Sequence, residues 1–237
     1  MSRTYNMVHY RHLLFDLDNT LWNFTENSYS ALHDVYDSFF LQKHFPDFDD
    51  YYAQYEQHNV MLWGLYGTGK ITKEFLRAER FLAPLRRFGI LNEPLAKEME
   101  TFYLDRCCLK TALMPNALAT LNYLKPRYQL HIVSNGFADV QYRKIENCGL
   151  SGYFSHIFLS EEIGHHKPSP EFFAGVLAKI NAVKEESLVI GDNFGADIEG
   201  AMNFGIDQVF YTPQQTEAPL RQPTYIIRDL VELQSFL

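Results

Sequence analysis

His12-Leu13-Leu14-Phe15-Asp16-Leu17-Asp18-Asn19-Thr20 is the stretch that decides how this chain is read. An apolar run ends abruptly in two carboxylates spaced i, i+2, followed by turn formers. Leu13, Leu14 and Phe15 predict a strand buried on both faces, as inside a parallel sheet. Asp16 then falls at the carboxyl end of that strand, where open α/β sheets bind their ligands. Two acids crowded there repel unless a cation or a shared proton neutralises them. A divalent metal with oxygen ligands is the simplest solution, and Mg²⁺ is the usual one at phosphate sites. Taken alone, the pair fits an Asx turn closing a strand equally well. The rest of the chain decides.

Downstream the character changes. Residues 24–109 contain no convincing strand, and apolar residues recur at spacings of three and four, as at Tyr29, Leu32, Val35, Tyr36 and Phe39 and again around Phe75, Phe81 and Leu85. That pattern predicts about four helices, whose many aromatics form a bundle interior. From Met114 strands and helices alternate. Buried strands are expected at 130–133, 157–159, 188–190 and 209–211, and a short edge strand at 225–227. Helices are expected at 116–124, up to Cys148 with Gly149 as a left-handed cap, at 170–180, at 196–204 closed by Gly205, and after the edge strand. Residues 212–223 read as a Pro/Gln-rich loop.

This alternation predicts a doubly wound parallel α/β sheet with right-handed crossovers. An insert of about 85 residues between the first strand and the rest of the sheet is too long for a loop. The expected division is therefore an α/β core, residues 1–21 with 110–237, and an inserted α-helical cap domain, residues 22–109, over the carboxyl ends of the strands.

Composition narrows the function classes. With 237 residues and 46% hydrophobic content, the chain can bury a sizeable core. A formal net charge of −8 argues against a nucleic-acid groove, which needs a basic stripe. A small anionic substrate stays open, because a local metal and lysine can dominate a site. Cys107, Cys108 and Cys148 have neither disulfide nor metal-ligand spacing, and read as small buried hydrophobes in a reducing compartment. Residues 1–9 are polar and lack a signal segment, and no apolar run is long enough to span a membrane. A cytoplasmic enzyme is the expectation.

Four strand ends or following loops carry polar groups that can converge: Asp16 with Asp18, Ser134, Lys167, and Asp192 with Asp197. Each has an ordinary reading as a turn, a solvated lysine or a helix cap, but jointly those readings require four coincidences at the one place such a sheet binds ligands. Asp16-Leu17-Asp18-Asn19-Thr20, Ser134-Asn135, Lys167-Pro168 and Gly191-Asp192-Asn193-Phe194-Gly195-Ala196-Asp197 resemble, in order, the four motifs of the haloacid dehalogenase superfamily. The insert resembles the helical cap of its subclass I.

The resemblance implies a Rossmann-like core and Mg²⁺-dependent phosphoryl chemistry through an aspartyl-phosphate. In it Asp16 is the nucleophile, and Asp18 is general acid toward the leaving oxygen and then general base toward water. Mg²⁺ is held by the carboxylates of Asp16 and Asp192 and the backbone carbonyl of Asp18. The Ser134 hydroxyl and N–H groups near Asn135 and Gly136 bind phosphoryl oxygens, Lys167 pairs with Asp16 and the phosphate, and Asp197 orients metal-bound water from behind. The acid at Asp18 favours a phosphatase over a dehalogenase, because an alkoxide needs a proton on leaving and a halide does not. A phosphomutase or sugar-phosphate phosphatase remains open, as does a non-catalytic phosphate-binding module.

Gly64 to Lys70 has the spacing of a nucleotide-binding P-loop, but Ile71 stands where a Ser or Thr is needed. Leu62-Trp63, Tyr66, Gly69 and Ile71-Thr72, with Asn135-Gly136-Phe137 and Ser160-Glu161-Glu162, instead resemble the YjjG-type pyrimidine 5′-nucleotidases. That resemblance implies a nucleoside monophosphate as substrate. Trp22, Phe24, Trp63, Tyr66 and Phe137 are the candidates for touching a base or ribose.

Overall fold

The computed structural model describes residues 10–214 and 220–237. The polar stretch 1–9 and residues 215–219 of the Pro/Gln-rich loop lie outside the described residues. Two compact units emerge, one from the described residues within Met1–Asn23 and Ala112–Leu237, the other from Phe24–Thr111.

The first unit is a six-stranded parallel sheet flanked by helices. Its strands are β1 (His12–Phe15), β2 (Gln129–Ser134), β3 (His156–Leu159), β4 (Ser187–Gly191), β5 (Asp207–Tyr211) and β6 (Tyr225–Ile227), in the spatial order β3-β2-β1-β4-β5-β6. This order reverses direction between β1 and β4, the switch point at which such sheets open a crevice beyond the strand ends. Every residue of β1 and β4 is buried, which explains why they read as continuous apolar runs. One face of the sheet, with Leu14, Val133, Phe158 and Val189, packs against Phe172, Phe173 and Val176. Each such side chain contributes roughly 2 kcal/mol of burial.

In chain order the helices of the second unit are α1 (Phe24–Ser38), α2 (Phe48–Gly67), α3 (Lys73–Arg86) and α4 (Glu93–Leu109). Asp47, Thr72 and Asn92 cap the last three, each side chain accepting from the N–H three residues on. Tyr51, Tyr55, Phe81 and Tyr103 form the interior, with Tyr55–Phe81 and Phe81–Tyr103 ring centroids 5.2 and 5.5 Å apart. The apparent P-loop is the C-terminal turn of α2, closed by Gly69 at φ 69°. Tyr29 and Phe75, counted among the apolar positions, are exposed; their rings fall at the margin of the buried stripe.

Back in the first unit, α5 (Ala117–Leu124), α6 (Ala138–Asn147), the single turn α7 (Ser160–Ile163) and α8 (Pro170–Ile180) alternate with the strands. Two expectations are corrected. The helix read at 196–204 opens as a wide π-helical turn, Phe194–Glu199, and only then continues as α9 (Gly200–Phe204). The C-terminal helix is a tight 3₁₀ segment, Leu230–Ser235, held by a capping box between Asp229 and Glu232. All three cysteines are free thiols, Cys107 and Cys108 buried and Cys148 half-buried. No described helix is long and apolar enough to cross a membrane.

Candidate active site

The register of β1 with its neighbours places the first acid. Phe15 pairs with Ile132 on β2 and Ile190 on β4, and the Asp16 N–H donates to Ile190 O at 2.8 Å. Asp16 therefore emerges between the two neighbouring strands whose ends carry Ser134 and Asp192. Lys167 follows α7 and reaches back under the sheet end. Its ammonium donates to Asp16 Oδ1 at 2.6 Å, Asp197 Oδ1 at 2.6 Å and Val133 O at 2.8 Å. Three acceptors use all three of its protons, and the residue is only 4% exposed. A solvated loop lysine is excluded. Asn135 holds this loop in place: its amide donates to Lys167 O and accepts from Lys167 N–H, both at 2.8 Å.

Asp197 is locked from the other side by the π-helical turn. Its Oδ2 accepts from Asn193 N–H at 3.1 Å, and its own N–H donates to Asn193 O at 2.9 Å. Gly191 makes room for it; a Cβ there would stand 2.3 Å from Asp197 Oδ2. Asp192 accepts from the buried Thr20 hydroxyl at 3.0 Å.

Carboxylate oxygens of Asp16, Asp192 and Asp197 lie within 4.8 Å of one another. Against these three acids stands one ammonium, Lys167. The balance of charge sets the ionisation of each group. Burial pushes the Asp16 carboxyl well above the ordinary range, Lys167 opposing and Asp197 and Asp192 adding to the rise. Burial and the nearby Asp197 push Asp192 up to about 7. Lys167 is pulled down by burial, but Asp16 and Asp197 more than reverse this and hold it protonated. An all-oxygen set with excess negative charge fits a hard divalent cation.

Asp18 is housed apart from this cluster. Its Oδ1 accepts from the Lys144 ammonium and its Oδ2 from Gln141 Nε2, both at 2.8 Å. The same Gln141 nitrogen donates to Ser134 Oγ at 2.8 Å, and Gly136 N–H donates to that oxygen at 3.0 Å. With both lone pairs of its hydroxyl engaged, Ser134 has its proton left to offer an acceptor such as a phosphoryl oxygen. The Gly136 N–H, expected to face the phosphate, is thus turned onto Ser134, and the Asn135 side chain serves the Lys167 loop.

The expected base-contacting residues divide. Trp22 and Phe137 belong to the first unit and are 0% and 3% exposed. In this conformation neither presents a ring to a base, because each turns its apolar surface into the interior. Phe24, Trp63 and Tyr66 belong to the helical unit, where Trp63 and Tyr66 are half-buried and meet edge to face at 5.7 Å between centroids. Sequence reasoning missed Thr20, Gln141, Lys144 and Asn193. The signal for two of them is visible in retrospect: Gln141 and Lys144, three apart, are polar residues on the inward face of α6 with Val140 and Ile145.

Residues 10–205 match the family model of the haloacid dehalogenase-like hydrolases. HAD-hydrolase YfnB of Bacillus subtilis (strain 168) is 32% identical over 98% of this chain and 97% of its own. Its crystal structure bound to magnesium superposes with a TM-score of 0.87, covering 97% of this chain and 99% of that one. Pyrimidine 5′-nucleotidase PynA of Streptococcus pneumoniae (strain ATCC BAA-255 / R6) is 33% identical over 94% of this chain and 93% of its own. Pyrimidine 5′-nucleotidase YjjG of Escherichia coli (strain K12) is 31% identical over 95% and 96%.

Proposed function

The chain belongs to the haloacid dehalogenase-like hydrolases, and from that premise we propose that it is a Mg²⁺-dependent phosphomonoesterase acting through an aspartyl-phosphate, with pyrimidine nucleoside 5′-monophosphates as preferred substrates. What supports the phosphatase chemistry most is the separate housing of Asp18: the nucleophile candidate sits in the carboxylate cluster, and a second carboxyl stands apart in its own hydrogen-bonded niche. Two carboxyls with distinct surroundings are what a reaction needing both a nucleophile and a proton donor requires. The substrate preference is supported by the nucleotidases PynA and YjjG, which this chain matches over nearly its whole length.

In this reading an Asp16 oxygen attacks phosphorus, the bond from phosphorus to the leaving oxygen breaks, and the Asp18 carboxyl gives that oxygen its proton. Water then attacks the aspartyl-phosphate, Asp18 takes a proton from it, and Asp16 is regenerated as phosphate leaves. Lys167 keeps Asp16 oriented and offsets charge at the reacting centre. The Ser134 proton meets a phosphoryl oxygen. Asp16 and Asp192, with the Asp18 carbonyl, would hold Mg²⁺, which when bound offsets the repulsion between an anionic nucleophile and an anionic ester; Asp197 braces this set from behind through Lys167. Phe24, Trp63 and Tyr66 are the side chains we propose for meeting a base or ribose.

The test is phosphate release from a panel of nucleoside monophosphates and sugar phosphates, with Mg²⁺ and with EDTA. EDTA-sensitive release concentrated on pyrimidine monophosphates is expected. Metal-dependent release from sugar phosphates alone would keep the chemistry and discard the nucleotide preference.

A further inference from the structure

Helix α6 carries two polar side chains that the chemistry above does not employ. Lys144 is 3% exposed, yet its ammonium reaches Asp18 Oδ1 at 2.8 Å and lies 4.2 Å from the centroid of the Trp22 ring. One turn earlier, the fully buried Gln141 spans Asp18 Oδ2 and Ser134 Oγ. A buried ammonium is expensive unless paired, and this one is led under an indole to meet one carboxylate. Gln141 Oε1 is buried without a partner, so the amide's contacts are all made by its nitrogen. As placed, the amide nitrogen spends both of its protons, one on Asp18 Oδ2 and one on Ser134 Oγ. Room for it depends on Gly136, where a Cβ would stand 2.1 Å from Nε2.

The two donors grip both oxygens of one carboxyl, so α6 fixes the orientation of Asp18. Without these two donors the Asp18 carboxyl would be free to turn about its own side-chain bonds, and only some of those orientations face the leaving oxygen. We infer that Gln141 and Lys144 are positioning residues: they hold the Asp18 carboxyl outside the cluster and toward the leaving oxygen, with Gln141 tying it to the hydroxyl that faces the phosphoryl group. This inference rests on the phosphomonoesterase reading. Neither residue exchanges a proton; the bond from phosphorus to the leaving oxygen breaks, the bond to Asp16 forms, and the single proton passes from Asp18 to the departing oxygen.

Leaving-group dependence separates positioning from mere structure. The value of kcat/KM covers only steps up to the first irreversible one, so the later base role of Asp18 does not enter. Wild type, Asp18→Asn, Lys144→Met, Gln141→Leu and Lys144→Arg would be compared on p-nitrophenyl, phenyl and ethyl phosphates. Asp18→Asn is expected to lose about 10²–10³-fold on ethyl phosphate and at most about tenfold on the nitrophenyl ester, whose phenolate leaves without a proton. Lys144→Met and Gln141→Leu are expected to lose about 10–10²-fold on ethyl phosphate and less than about threefold on the nitrophenyl ester, with Lys144→Arg restoring most of the difference. The comparison is a ratio on one preparation, so partial misfolding cancels. A steepened Asp18→Asn beside Lys144→Met and Gln141→Leu variants that lose equally on all esters, or lose nothing, would overturn the positioning role alone. An Asp18→Asn variant with the wild-type dependence would overturn the proton-donor reading, and the inference with it.

Discussion

A single missing methyl group shapes the candidate site at Gly191. The Asp197 carboxylate fills the space a Cβ would occupy, 2.3 Å from its Oδ2, and from there reaches the Lys167 ammonium at 2.6 Å. Alanine at this position must displace Asp197 or the strand end, since neither the backbone of β4 nor the tied carboxylate yields easily. Lys167 then loses one of its two carboxylate partners and a buried charge is left underpaired. Gly191→Ala is expected to cost about 1–3 kcal/mol of stability and about 10²-fold in kcat/KM. Thermal melting and phosphate release check both, and an alanine variant with wild-type activity would show that the Asp197–Lys167 contact is dispensable.

At the scale of elements, the histidines across β1, β2 and β3 form a ladder on one face of the sheet. His12 Nδ1 and His131 Nε2 are 3.2 Å apart, and the His131 ring stacks on those of His12 and His156 with centroids 5.4 Å apart on each side. Burial, then His12 and His156, press His131 down to about 4, and burial with Arg11 lowers His12, Glu186 opposing. A folded value below the unfolded one means the unfolded chain binds more protons in between. Stability is therefore fully present above about pH 6.5 and lost as the pH falls toward about 4, by on the order of 2 kcal/mol. His131→Val, apolar and suited to a buried strand, is expected to flatten the fall in melting temperature between pH 6.5 and 4.5. An unchanged slope would assign the acid sensitivity to other groups. This ladder was not legible in the sequence, because His12, His131 and His156 meet only through strand order. The strands themselves were legible: β1 and β4 are apolar on both faces and could only be central. The π-helical turn at Phe194–Glu199 was not, since an Asn-capped start at Asn193 reads the same for an α-helix as for this wider turn.

Across the whole molecule, the legible part of the site was the part carried by strand ends. Asp16 and Asp192 follow β1 and β4, Ser134 ends β2 and Lys167 lies in the loop after α7, so alternation brought them to the carboxyl ends of the strands. Thr20, Gln141 and Lys144 contribute through side-chain reach, and a helix face facing inward looks the same in sequence whether it fills a core or grips a carboxylate. Within the helical unit by itself, Trp63 and Tyr66 are half-buried near the end of α2 and hold one another edge to face, a preformed aromatic pair with surface left over. If that surface reads the base, its loss must fall on the leaving group and spare the phosphoryl chemistry. Base stacking on an aromatic ring is worth about 1–3 kcal/mol, so Trp63→Ala is expected to lower kcat/KM for uridine 5′-monophosphate about tenfold. The same variant should hydrolyse p-nitrophenyl phosphate within about twofold of wild type, because that ester leaves the base contact unused. Equal losses on both substrates would place Trp63 in the packing of α2 and leave leaving-group recognition to other residues of the unit.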